Sequence, residues 1–219
     1  MKTLLIALTL AAILLPAFGQ NVVPQGLRPD DWIAEFEDSS GSKLSVAAGA
    51  LEVTASAGAT IWYKQKISGS LVITYDVAVI DSGGKTDRVS DLNAFWMASD
   101  PNHVTPFGRN GKFPSYDNLD LYYAGVGGNE NTTTRFRRYH HGLDKTILQE
   151  YKDKQHLLEG NKVYSVKITV RDGRTTFSIN GVQYFHYDDS APLTEGYFAF
   201  RTTRSRIRIT NFEIDALSP

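Results

Sequence analysis

The feature that most restricts what this chain can fold into is a rhythm. Short runs of β-branched and aromatic residues follow one another, each cut off by turn residues. The runs are ALEVTA, ATIWYKQKI, SLVITYDVAVI, LNAFWMA, NLDLYYAGV, TTTRFRRYH, KVYSVKITV, RTTFSIN, VQYFHY, GYFAFRTT and SRIRITNFEI. Ser68-Gly69, Gly83-Gly84, Gly127-Gly128-Asn129, Asp172-Gly173 and Asn180-Gly181 punctuate them. Tyr164, Val166, Ile168 and Val170 alternate with Ser165, Lys167 and Thr169, the period of a half-buried strand. Asp-Gly and Asn-Gly between apolar runs are hairpin signals. The only helix candidate of any length is LDKTILQEYKDKQHLL. Many short antiparallel strands predict an all-β protein, an antiparallel β-sandwich or jelly roll. Tyr164, Val166, Ile168, Phe177, Phe198 and Phe200 are expected inside it.

The amino terminus reads differently. Lys2, an apolar run from Leu4 to Leu15, and Ala17-Phe18-Gly19 have the layout of a secretory signal peptide. We expect a leader over 1–19, cleaved near Gly19 or Gln20, and one domain over 20–219 in the periplasm or outside the cell. Residues 20–30 read as an irregular lead-in. The apolar run is too short to span a bilayer comfortably, and no membrane attachment is expected after cleavage. The sequence has no cysteine, so disulfides and thiol chemistry are excluded and the fold depends on its own core. The 23 Lys and Arg face 24 Asp and Glu, for a net charge of −1. That balance argues against nucleic acid as a partner, and any basic site must be local.

One such site stands out in YYAGVGGNENTTTRFRRYHH, from Tyr122 to His141. Gly125-Val126-Gly127-Gly128 resembles a phosphate loop only superficially: Glu130 stands where a third spaced glycine belongs, and no helix follows. A hairpin fits better, with strands Leu119–Val126 and Thr132–His141 and a turn at Gly127–Asn131. Alternation puts Arg135, Arg137, Tyr139 and His141 on one face and Phe136, Arg138 and His140 on the other. With Phe136 in the core, Arg135, Arg137 and Tyr139 line the opposite surface, alongside Tyr123. Guanidinium groups pair with carboxylates, and tyrosine offers a ring for stacking and a phenol for proton transfer. DRVSDLNAFWMASDP adds Asn93, a donor for a carboxylate or a hydroxyl, and Trp96, either a core residue or a sugar platform. IWYKQKI adds Lys64, and FRTTRSRIR adds Arg201. Two basic segments in a slightly acidic chain suit an anionic ligand.

Three longer stretches carry a resemblance: GGKTDRVSDLNAFWMASDP, GKFPSYDNLDLYYAGVGGNENTTTRFRRY and EGYFAFRTTRSRIRITNFEI. From about Trp62 to Ile214 the chain resembles the YesU-like family of bacterial β-jelly-roll proteins, of the concanavalin-like lectin/glucanase fold. That resemblance implies carbohydrate handling, beside machinery that degrades acidic plant polysaccharides such as rhamnogalacturonan. LYYAGVGGN is also similar to the YFKAG strand of jelly-roll alginate lyases, which carries a catalytic tyrosine; their glutamine-x-histidine pair is absent here. Retaining glucanases of the fold use E-x-D-x-x-E. EIDALS supplies Glu213 and Asp215 but ends in Ser218, and glycoside hydrolysis needs its paired carboxylates.

β-Elimination suits the residues better. It requires neutralisation of a uronate carboxylate, removal of the C5 proton and protonation of the leaving oxygen. Asn93, Arg135 and Arg137 suit the first task; Tyr139, His140 or Tyr123 suit the proton steps. His140 points away from Arg135 and Arg137 unless a bulge at Arg137-Arg138 turns it. Substrate contacts are expected from Tyr123, Trp96, Lys64 and Arg201. No cofactor is expected; the one metal considered is a structural calcium on Glu35 or Asp38 near Asp215. The resulting expectation is a polysaccharide lyase acting on acidic polysaccharide, with a non-catalytic carbohydrate-binding module and a glycoside hydrolase as alternatives.

Overall fold

The computed structural model describes residues 27–218; the predicted leader and most of the lead-in, residues 1–26, lie outside the described residues. In chain order the strands are Trp32–Phe36 (β1), Lys43–Ala47 (β2), Ala50–Thr54 (β3), Gly58–Tyr63 (β4), Ile67–Ser68 (β5), Leu71–Val79 (β6), Leu92–Ser99 (β7) and Asp120–Gly127 (β8). There follow Thr133–His140 (β9), Asp144–Tyr151 (β10), Val163–Arg171 (β11), Arg174–Ile179 (β12), Val182–Asp188 (β13), Glu195–Thr203 (β14) and Arg206–Ala216 (β15). They form two antiparallel sheets. The first runs β1-β4-β14-β7-β8-β9-β10, with β5 paired to β14; the second runs β13-β12-β11-β6-β15-β3-β2.

The sheets pack face to face, as alternation requires. Tyr164, Val166, Ile168 and Phe177 of the second sheet meet Phe198 and Phe200 of the first, and all six are buried. Burial of this contiguous apolar layer is the main stabilising term in a chain without disulfides. Asp172-Gly173 (φ 51° and 79°) and Asn180-Gly181 (φ 51° and 79°) place both central residues in the left-handed region. That is the backbone of two-residue type I′ turns, and it joins β11, β12 and β13 as consecutive hairpins.

The segment LDKTILQEYKDKQHLL departs from the helical reading. It forms β10, bulged between Ile147 and Gln149 along β9, and then a 3₁₀ turn at Lys154–His156. Thr146, Ile147 and Tyr151 favour the pleated state once β9 offers a partner. At this edge the Tyr151 hydroxyl donates to Tyr184 O (2.9 Å), and the His186 amide donates to Gln149 Oε1 (3.0 Å). These bonds tie β10 to β13 across the two sheets and satisfy edge groups that would otherwise invite another strand.

Candidate functional site

The outer face of the first sheet is not fully open. The chain between β7 and β8 folds back over it and buries a second apolar cluster: Trp62, Phe95, Tyr116, Leu119, Leu121, Tyr123, Tyr139 and Ala199. This cover is pinned by polar contacts. Glu35 on β1 accepts from Trp62 Nε1 (3.0 Å), the Tyr116 hydroxyl (2.7 Å) and the Arg109 amide (2.9 Å). Arg109 Nη2 donates to the buried carboxylate of Asp100 at 2.6 Å. Gly111, at φ 77°, passes so close to the backbone of Phe36 and Glu37 that no side chain would fit.

Those bonds revise the calcium reading. The Glu35 carboxylate is committed to three protein donors. Asp38 is held by Ser56 and Ser40, which lower its pKa to about 2. No group of three or more His, Asp or Glu among the described residues is placed to hold a metal. Glu35→Ala is expected to lower stability by about 2 kcal/mol, because buried donors on Trp62 and Tyr116 lose their acceptor. The urea midpoint would fall and acrylamide would quench Trp62 more readily; an unchanged midpoint would count against a pinned cover.

At the margin of this cover, and partly beneath it, runs a strip of side chains set by strand register, with Asn93, Tyr123 and Arg201 buried and Arg135 and Arg137 half-buried. Phe95 stands opposite Tyr123, and Tyr123 opposite Arg137. One step along, Arg201 stands opposite Asn93, Asn93 opposite Gly125, and Gly125 opposite Arg135. Asn93, Tyr123, Arg135 and Arg137 therefore share one face, as alternation on β8 and β9 anticipated. Gly125 is what joins them. A Cβ there would fall inside contact distance of the Tyr123 hydroxyl, so the phenol leans over the glycine into the space between Asn93 and Arg135.

The charges in this strip differ in how far they are satisfied. Arg135 is paired with Glu150, whose pKa is lowered by Lys152 and Arg135. Arg137 is partly exposed; its Nη1 donates to Lys145 O at 2.9 Å, and it pairs with no carboxylate among the described residues. Arg201 is 2% exposed and lies under Phe113 and Tyr116, 4.8 and 5.1 Å from their ring centres. Its Nη1 donates to Thr60 Oγ1 (2.6 Å) and Gly111 O (3.0 Å), again with no carboxylate partner among the described residues. Burial lowers its pKa, and the neighbouring tyrosines and Asp91 act against that shift. Asn93 Nδ2 donates to Asp91 Oδ1 at 3.3 Å, while its Oδ1 is buried without a hydrogen-bond partner. An orphaned buried acceptor of this kind is uncommon in folded proteins and calls for an explanation. Burial pushes the Tyr123 phenol well above its ordinary pKa; Tyr139 and Asp91 add to the shift, and Arg201 and Arg137 oppose it.

None of the remaining expected site residues offers a free surface beside these, although Tyr139 does share their face. Trp96 faces between the sheets, fully buried, stacked on Phe136 at 5.7 Å and 2°, and out of reach of a sugar. Tyr139 is fully buried beside Tyr123 (ring centres 6.1 Å apart), where the cover leaves no room for a substrate. His140 is on the other face: β8 and β9 pair regularly from Asp120↔His140 to Gly125↔Arg135, so no bulge turns it. Lys64 is exposed but lies just past the end of β4, four residues from Thr60 and up to roughly 13 Å away at strand rise. Arg201 is beneath the strip, supplying charge without a free surface. Phe113, packed on both Tyr123 (5.5 Å) and Arg201, had no signal in the sequence, since only the cover brings it there.

Residues 53–212 match the family described as Domain of unknown function (DUF6250). No curated protein matches the chain in sequence. Among solved structures, a protein of unknown function with a galectin-like fold from Bacillus subtilis aligns with a TM-score of 0.67 at 18% identity, covering 84% of this chain and 89% of that one. The carbohydrate binding module CBM66 from Bacillus subtilis aligns with a TM-score of 0.58 at 14% identity, covering 85% and 96%. The exoplasmic/lumenal domain of VIP36, in its Ca2+/Man-bound form, aligns with a TM-score of 0.60 at 13% identity, covering 86% and 84%. These likenesses show the fold, an antiparallel β-sandwich of galectin-like type.

Proposed function

We propose, for a chain that belongs to the DUF6250 family, that the outer face of its first sheet binds an acidic saccharide. One observation carries this reading. Arg137 and Arg201, neither with a carboxylate partner among the described residues, flank Asn93, whose Oδ1 is unmet, and the Tyr123 phenol. In this reading a uronate carboxylate bonds to Arg137 in the field of Arg201, a hydroxyl satisfies Asn93, and the half-buried Phe113 meets the sugar ring. The sugar-binding neighbours and the resemblance to the YesU-like family support a carbohydrate ligand. They make rhamnogalacturonan and other galacturonate polymers the first to try, met in the periplasm or outside the cell if the leader directs export.

The same geometry favours recognition over cleavage. A lyase base must accept a proton near neutral pH. Burial holds both Tyr123 and Tyr139 protonated, the Glu150 carboxylate is kept low by its cations, and His140 is on the opposite face. A second reading, β-elimination, rests on the Tyr123 phenol lying over Gly125 between Asn93 and Arg135. There Asn93 and Arg137 would neutralise the carboxylate, the Tyr123 phenolate would take the C5 proton, and the phenol so formed would return that proton to the leaving oxygen as the C4–O bond breaks.

Titration calorimetry with oligogalacturonates and neutral cello-oligosaccharides tests binding. The acidic ligand should bind, and Arg137→Ala should weaken it about tenfold to hundredfold, the worth of a charge-assisted hydrogen bond. Equal affinity for neutral ligands, or an Arg137→Ala variant that binds like the wild type, would overturn the proposal.

A further inference from the structure

The turn between β8 and β9 is backbone-strained at a residue that gains nothing locally from the strain. Gly127 (φ 64°) leads into Asn129 (50°), Glu130 (59°) and Asn131 (60°), all left-handed. Asparagine tolerates that region, and both asparagines are anchored. Asn131 exchanges two hydrogen bonds with the Leu158 backbone (2.9 and 2.8 Å), and Asn129 Nδ2 donates to Thr133 Oγ1 (3.3 Å). Glu130 makes no such local bond. Instead its Oε1 stands 3.9 Å from Arg88 Nη1 and 3.6 Å from Arg204 Nη2.

We propose that Arg88 and Arg204 form a second carboxylate-binding subsite at this end of the strip, with Glu130 as a built-in stand-in that an acidic saccharide displaces. The inference rests on the reading of the strip as an acidic-saccharide site and deepens it, since it calls for a ligand with more than one carboxylate. Three features support displacement. Both distances exceed the 2.7–2.9 Å of a direct guanidinium–carboxylate hydrogen bond, so Glu130 is held loosely. Its side chain is 73% exposed and those of Arg88 and Arg204 are 25% and 59% exposed, so a ligand can reach all three. The subsite also adjoins the first one: Arg88 Nη2 donates to Asp91 Oδ2 at 2.6 Å, and Asp91 Oδ1 accepts from Asn93. Asp91 and the Thr203 carbonyl hold one end of the Arg88 guanidinium, fixing its aim.

Titrating trigalacturonate, with maltotriose as the neutral comparison, into wild type, Glu130→Gln and the Glu130→Gln/Arg204→Ala double variant tests this. Glu130→Gln should bind trigalacturonate about threefold to tenfold tighter, the worth of two exposed ion pairs no longer competing. Maltotriose should respond to neither change, and the double variant should lose the gain. Wild type binding trigalacturonate with Glu130→Gln no tighter, or a gain that survives in the double variant, overturns the subsite and leaves the strip intact. Binding that appears only in Glu130→Gln and requires Arg204 upholds the subsite and counts against the strip in the wild type. Trigalacturonate binding to none of the three overturns both.

Discussion

Trp96→Ala should lower the unfolding free energy by about 3–5 kcal/mol, the range for removing a large aromatic side chain from a packed core. Trp96 is fully buried between the sheets, with Phe136, Phe177 and Tyr122 at 5.7, 6.1 and 5.8 Å between ring centres. Its Nε1 donates to Thr175 Oγ1 (2.9 Å) on the facing sheet, so the substitution also strips a buried hydroxyl of its partner. Neighbouring strands hold the backbone on both sides of β7 and limit collapse into the void. Urea unfolding followed by circular dichroism reads the effect, with Trp96→Phe expected to recover part of it. A Trp96→Ala variant of unchanged stability that had lost saccharide binding would return Trp96 to the role of sugar platform.

The ambiguity at Trp96 has a physical origin. In LNAFWMA, period-2 alternation identifies a strand but not which face turns inward when both faces are buried. Phe95 packs under the cover and Trp96 under the second sheet, so both are equally hidden. The cover depends on Glu35 in β1, and neither β1 nor β2 was among the runs legible as strands; WIAEF is short and its pairing with β4 is long-range. The same cover makes Tyr139 a buried residue and lets Arg201 sit under aromatic rings, where a charged residue in GYFAFRTT reads as exposed. What was legible is the local chemistry: the two Xaa-Gly hairpins, the inward set from Tyr164 to Phe200, and the shared face of Tyr123, Arg135 and Arg137. From sequence, Gly127 falls in the turn and Gly125 within the strand Leu119–Val126. Gly127 does turn, at φ 64°, and Gly125 stays in β8, where it makes room for a phenol, a role that strand periodicity does not reveal.

Tyr123→Phe separates recognition from cleavage. The substitution keeps the ring and its packing on Phe95 and Phe113 (5.6 and 5.5 Å) and removes only the hydroxyl that leans over Gly125. If the strip only binds, the loss is one hydrogen bond, about 1 kcal/mol, a fivefold change in affinity, and the wild type leaves galacturonate polymers intact. If Tyr123 protonates the leaving oxygen in a β-elimination, the wild type generates unsaturated uronate ends that absorb in the ultraviolet. Tyr123→Phe then keeps its affinity within that factor and loses about 10²-fold or more in kcat. Raised phenol pKa values at Tyr123 and Tyr139 lead us to expect the first outcome at neutral pH. They also set the direction of any activity that does exist. A reaction needing the phenolate would rise with pH through the alkaline range, because burial moves deprotonation above the ordinary tyrosine value. Cleavage that is maximal below neutral pH and survives in Tyr123→Phe would show that neither tyrosine carries the proton, and that the chemistry resides away from this face.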